Sequence, residues 1–146
     1  MSEDDDEPGA MSLALFIIHP TLMPDEIGLR LGLDGHFTHE VGTRRRNGID
    51  RIHGRIHPDT RWRHRRKCSL GGGTTVGPLI ADFVEELARR RDILLDLRGS
   101  GGKCCLVVSL SGRGYFGFDI PIETQARMTD IGLDLGLEYF AESQNS

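Results

Sequence analysis

Between Trp62 and Leu95 the hydrophobic period of the chain changes once, and that change excludes most folds. From Trp62 to Leu70 the residues alternate. Trp62, His64, Arg66, Cys68 and Leu70 share one side; Arg63, Arg65, Lys67 and Ser69 share the other. A period of two is that of a β-strand, and a face this basic suits an edge or solvent-facing strand. Then Leu79, Ile80, Phe83, Val84, Leu87, Ala88, Leu94 and Leu95 recur at helical spacing. One long helix is expected from Leu79 to Arg98, with Pro78 at its first position and Gly99–Gly102 ending it. The glycine run Gly71–Gly77 joins the two. A strand and a helix in immediate succession, in 146 residues, call for one core shared by both kinds of element.

The rest of the chain fits that frame. Leu13–Ile18 is a strand-forming run that stops at His19-Pro20, because proline donates nothing to a ladder. Pro24-Asp25-Glu26 opens a short helix with Ile27 and Leu31 on one face, and Gly32 ends it. From Asp34 to about Thr60 no period is visible, so a long basic loop is expected over about 34–60. Cys104–Leu110 reads as a central strand. Ser111–Gly114 reads as a hairpin turn leading into a partner strand at Tyr115–Asp119. Pro121 opens a last helix to about Asp130, and Leu133–Phe140 alternates as a closing strand. The expectation is an α+β two-layer sandwich: a mostly antiparallel or mixed sheet of about five strands, helices on one face, a ferredoxin-like variant among the possibilities. Residues 1–10 and 142–146 are expected to be disordered tails around a single domain at 11–141.

Charge is divided unevenly. The chain carries −4 overall, yet Arg44–Lys67 holds ten basic and two acidic residues, or +8, which leaves −12 elsewhere. Overall acidity argues against a general polyanion binder, whereas the block allows a local one. Three cysteines, Cys68, Cys104 and Cys105, do not make a disulfide framework and are read as reduced thiols. The acidic MSEDDDEPG start lacks the basic region of a signal peptide, and Leu13–Ile18 is too short to span a bilayer. A cytoplasmic protein with no membrane partner is expected.

The order of these segments resembles a known family. The stretch His19-Pro-Thr-Leu-Met-Pro-Asp-Glu-Ile-Gly-Leu-Arg-Leu-Gly-Leu33 is similar to the opening of the bacterial domain-of-unknown-function family numbered 4279. There, a variable loop, an Arg-rich strand, a long helix, a hairpin rich in glycine and aromatics, a short helix and a closing Leu-Gly-Leu strand with a tyrosine follow. Here they match Arg61–Leu70, Leu79–Arg98, Cys105–Ile120 and Ile131–Phe140. One departure is Lys67–Leu70, where many members carry a tryptophan. The resemblance implies one compact domain and no particular chemistry. Small bacterial families of this kind are often accessory or immunity-type binding proteins, an analogy of genre.

Four constellations compete for a function. His36, His39, His53 and His57 have ligand-like spacing, with Cys68 downstream, but so many arginines around them disfavour a divalent cation, and solvated histidines are the simpler reading. Arg65, Arg66 and Lys67 would lower the pKa of Cys68. His64 shares its face, but four strand positions away, about 13 Å; a buried thiol is the simpler reading. Gly71–Gly77 sits where phosphate cradles occur, yet has neither a Gly-Lys-Ser/Thr nor a Gly-x-Gly-x-x-Gly pattern. The basic block remains. Its arginines and lysine would suit carboxylates of a protein partner or phosphates of a nucleic acid, where Trp62 could stack on a base. The expectation is a non-enzymatic binding domain without cofactor, contacting an acidic protein partner through Arg44, Arg45, Arg46, Arg61, Trp62, Arg63, Arg65, Arg66 and Lys67. A nucleic-acid-binding module on the same surface is the alternative.

Overall fold

The computed structural model describes residues 10–42, 58–69, 75–112 and 117–141. The expected tails, Arg44, Arg45 and Arg46, His53 and His57, and the glycines at 71–73 lie outside the described residues, apart from Ala10. The central strand β1 (Ala10–His19) grows from the Leu13–Ile18 run. On one side it pairs antiparallel with β3 (Thr60–Cys68), Leu15 lying opposite His64. On the other it pairs antiparallel with β4 (Lys103–Gly112), Leu15 lying opposite Leu106. Strand β2 (His36–His39) pairs antiparallel with the outer side of β3, and β5 (Asp134–Ala141) pairs parallel with the outer side of β4. The order is β2-β3-β1-β4-β5. The α+β class with a mixed, mostly antiparallel five-stranded sheet is therefore as expected.

The register divides the sheet into two faces. Met11, Leu13, Leu15 and Ile17 of β1 line up with Leu110, Val108, Leu106 and Cys104 of β4, and all eight are buried. Against them pack α1 (Pro24–Leu31), α2 (Val76–Ala88), α3 (Arg91–Gly99) and α4 (Ile122–Asp130), through Ile27, Phe83, Leu87, Leu94 and Met128 among others. Helix α1 ends as expected: Gly32 adopts φ 69°, which favours glycine, and its N–H bonds back to the Gly28 carbonyl.

Three expectations need correction. The single helix over Leu79–Arg98 is two helices, interrupted at Arg89 and Arg90. After Leu87 the next core-facing turn would hold Arg90 and Arg91, and the chain turns rather than bury them. The Arg90 guanidinium instead donates to the carbonyls of Leu31 (2.7 Å) and Glu86 (3.0 Å), serving the C-terminal ends of α1 and α2 together. The 34–60 segment is not all loop, since His36–His39 forms β2 and Thr60 already belongs to β3. The expected hairpin partner of β4 is absent over the described residues 117–119. Both edges of β4 are already taken, by β1 and by β5, so no third partner can pair there. The mixed sheet arises instead from the β4–α4–β5 crossover.

Among the described residues three polar side chains are buried, His19, Thr60 and Thr124. His19 is 1% exposed at the end of β1. Its Nδ1 accepts the backbone N–H groups of Thr21 (3.2 Å) and Leu22 (3.1 Å), and its Nε2 lies 2.9 Å from Ser100 Oγ. The hydroxyl of Ser100 in turn reaches the carbonyls of Asp96 and Leu97. That network assigns the neutral, Nε2-protonated tautomer and ties β1 to the end of α3.

Candidate functional site

Among the described residues no helix lies over the second face of the sheet. Alternation along β3 sends Arg61, Arg63, Arg65 and Lys67 to it. They form a basic row on a floor made by the neighbouring strands. Lys67 stands opposite Ser12, Ser12 opposite Ser109, and Ser109 opposite Glu138. One row on, the sequence is Arg65, Ala14, Val107 and Gly136; the next is Arg63, Phe16, Cys105 and Asp134. Small side chains in the middle and long ones at the sides make a trough of about 400 Å³. Its lining includes Ser12, Ala14, Arg63, Arg65, Lys67 and Ser109, with Glu138 and Phe140 on the far side.

The trough is electrically polarised. Its β3 side is cationic. On its β5 side the Glu138 carboxylate accepts the Ser109 hydroxyl at 2.9 Å, with Asp134 further along the same strand face. Phe140, 60% exposed, gives this acidic side an apolar tip. The basic side chains are partly held in place. The Arg63 guanidinium lies 5.1 Å from the centroid of the Phe16 ring, an exposed cation–π contact worth about 0.5–1 kcal/mol. Arg61 pairs with Asp59 at 3.2 Å. Lys67 makes no ion pair among the described residues, so its ammonium is open to an incoming carboxylate.

Two residues of the expected contact set point the other way. Trp62 is 1% exposed and belongs to the hydrophobic cluster, so its ring can stack on nothing that arrives from solution. Arg66 shares that side. Its guanidinium pairs with Glu86 of α2 and lies 4.9 Å from the centroid of Phe83, bracing strand to helix. Alternation explains both: even-numbered residues of β3 face the helices and odd-numbered ones the open side. The contact set is thereby reduced, among the described residues, to Arg61, Arg63, Arg65 and Lys67. Glu138, Phe140, Ser12 and Ser109 join it. Nothing in their local sequence marks them, because they are gathered only by the pairing of β1, β4 and β5.

The other constellations look different in three dimensions. All three cysteines are free thiols. Burial pushes Cys104 up to about 11 and also raises Cys105. Cys68 moves upward as well, against the expectation from its basic neighbours, because burial outweighs the opposing pull of Arg66. None of the three is thereby prepared as a thiolate nucleophile at neutral pH. His36 does not reach toward His39. Its Nδ1 accepts the Arg65 backbone N–H at 3.1 Å, and its ring stacks on His64 at 5.4 Å between centroids. His64 in turn donates from Nδ1 to the Asp34 carbonyl at 2.7 Å. Among the described residues no three His, Cys, Asp or Glu side chains converge as metal ligands would. Glu85 is engaged rather than merely solvated: both its carboxylate oxygens accept from Arg127 at 3.0 Å. No helix among the described residues is long and apolar enough to cross a membrane.

Comparison with known proteins gives one match. The family described as "Domain of unknown function (DUF4279)" matches residues 10–141. No curated protein and no solved structure matches.

Proposed function

The chain belongs to the DUF4279 family, and from its open sheet face we propose that it is a non-enzymatic binding domain that docks an acidic segment of another protein. One observation carries the reading: β3 displays Arg61, Arg63, Arg65 and Lys67 in a row on the sheet face that no helix covers among the described residues. That face presents four cations beside a trough floored by the small side chains of Ser12, Ala14 and Ser109. A strand or loop laid in that trough could place carboxylates against the basic row while its backbone approaches the small floor. Arg–carboxylate pairing supplies direction as well as attraction. The acidic β5 side then sets polarity, since it repels an occupant that is acidic along its whole width. An accessory or immunity-type role is the setting in which such a domain would act.

The test is capture of partners by the full chain from cell lysate, with and without nuclease, alongside the Arg63→Glu/Lys67→Glu double variant. The expected result is a protein that survives nuclease and is lost with the double variant. Co-purified nucleic acid that disappears with nuclease would sink the reading in favour of a nucleic-acid module. A partner that binds the double variant equally well would place the interface elsewhere.

A further inference from the structure

The two edges of the sheet are unequal. At one edge β2 is four residues long, with a register irregularity between His36 and His39. Short, irregular edges resist pairing with another chain. At the other edge β5 is eight residues long and pairs with β4 in an unbroken register from Asp134 to Ala141. Among the described residues nothing pairs with its outer side. The strand is also apolar where it should be covered. Leu135, Leu137 and Tyr139 lie in register with the core-facing Leu106, Val108 and Leu110. Yet they are 45%, 63% and 51% exposed. The helical layer stops short of β5, leaving an apolar ladder and a free backbone edge side by side.

We propose that β5 pairs antiparallel with β5 of a second copy of this chain, joining two five-stranded sheets into one. Symmetry limits the ways this can happen. A two-fold axis that makes neighbouring antiparallel strands stands perpendicular to the sheet, so it keeps each face on its own side. Opposed residues then share a face, and a residue, not a gap, lies on the axis. With Gly136 on the axis, Asp134 faces Glu138 of the second copy. With Glu138 on the axis, Glu138 faces itself. Like charges directly opposed destabilise a ladder, and registers shifted further leave at least three of the eight residues of β5 unpaired. With Leu137 on the axis both conflicts vanish. Leu137 meets Leu137, Leu135 meets Tyr139, Glu138 meets Gly136 and Asp134 meets Phe140. All three exposed apolar side chains of the core side gain apolar partners. The same exposure that identifies the ladder places no helix of the described residues over this flank, where it would obstruct a second sheet.

A single pair of strand edges buries little area, so the dimer is expected to be weak, assembling over roughly 1–200 µM. Sedimentation velocity of the full chain across that range should show monomer passing to dimer. Leu137→Asp, which sets two carboxylates face to face on the axis, should weaken the dimer at least tenfold without changing the thermal midpoint of the monomer. Under mild oxidation Leu137→Cys should give a reducible covalent dimer, because directly opposed strand positions fall within disulfide reach. Leu135→Cys should not, since its two copies lie four positions apart, about 13 Å. The wild-type chain, with its three native thiols, is the blank. A wild-type chain that stays monomeric at the upper concentration overturns the proposal, as does a Leu137→Asp dimer of undiminished affinity. Equal cross-linking at 135 and 137 would overturn the register.

Discussion

The two faces of β3 both carry arginine, yet that residue does opposite work on them. On the helix side, Trp62 and Arg66 are consumed by the fold: the ring fills the core, and the guanidinium spans from strand to α2. On the open side, Arg61, Arg63, Arg65 and Lys67 lie outside the hydrophobic cluster. A basic residue in this strand is thus structural or available according to parity alone. The sharpest way to break that division is Trp62→Ala. Removing a fully buried indole should cost about 4 kcal/mol, read as a large drop in the denaturation midpoint. A loss under 1 kcal/mol would mean the ring is not the core element described here.

The open side should behave in the reverse way. Arg63→Glu with Lys67→Glu should cost no more than about 1 kcal/mol of stability, the worth of the Phe16 contact, while reducing affinity for an acidic partner at least tenfold, measured by titration calorimetry at fixed salt. Loss of folding would make the row structural. Between these extremes stands Arg66→Ala, whose ion pair and cation–π contact are both half-exposed. It should cost about 1 kcal/mol and leave partner affinity unchanged. A variant that folds normally and binds tenfold more weakly would show that parity does not separate the two roles.

The thiols give the same comparison on β4. Cys104 faces the helices, wholly buried, and Cys105 the open side, partly accessible. At pH 8 a thiol reagent should label Cys105 well before Cys104, whose pKa is about 11; mass spectrometry of the folded chain reads the order. Equal rates would mean that the helical layer opens as freely as the bare face.

Much of this division could be read from the sequence, and the part that could not has a physical cause. Alternation over Trp62–Leu70 assigns Arg63, Arg65 and Lys67 to one side, because a strand's period is local. It cannot say which side the helices cover, so Trp62 and Arg66 were open to either reading. Glu138, Ser109 and Ser12 come together only across three strands, through a register that no local pattern encodes. The break at Arg89–Arg90 was hidden because Leu94 and Leu95 resume a helical period after it. The hairpin was misread because Ser111–Gly114 has turn chemistry, while β4 gives its second edge to β5 after a helical crossover. His19 looked like the mere end of a strand before Pro20; its partner Ser100 is 81 positions away.

His19 carries the smallest of the expected effects, and its sign follows from its contacts. It is a helix-side residue held neutral. Burial lowers its pKa below the usual 6.5, Arg30 adds to the shift, and Glu26 opposes it. Two backbone N–H groups already occupy Nδ1, so a second proton has no acceptor there. The unfolded chain therefore takes up a proton more readily than the folded one. The contribution is fully present above pH 6.5 and is lost as pH falls through the lower folded value. Urea unfolding should show stability declining below about pH 6.5. His19→Gln, which cannot titrate, should be less stable at pH 7.5 yet decline less from pH 7.5 to 5. If wild type and variant decline in parallel, the pH dependence belongs to other histidines, and the neutral network at the end of β1 is not its source.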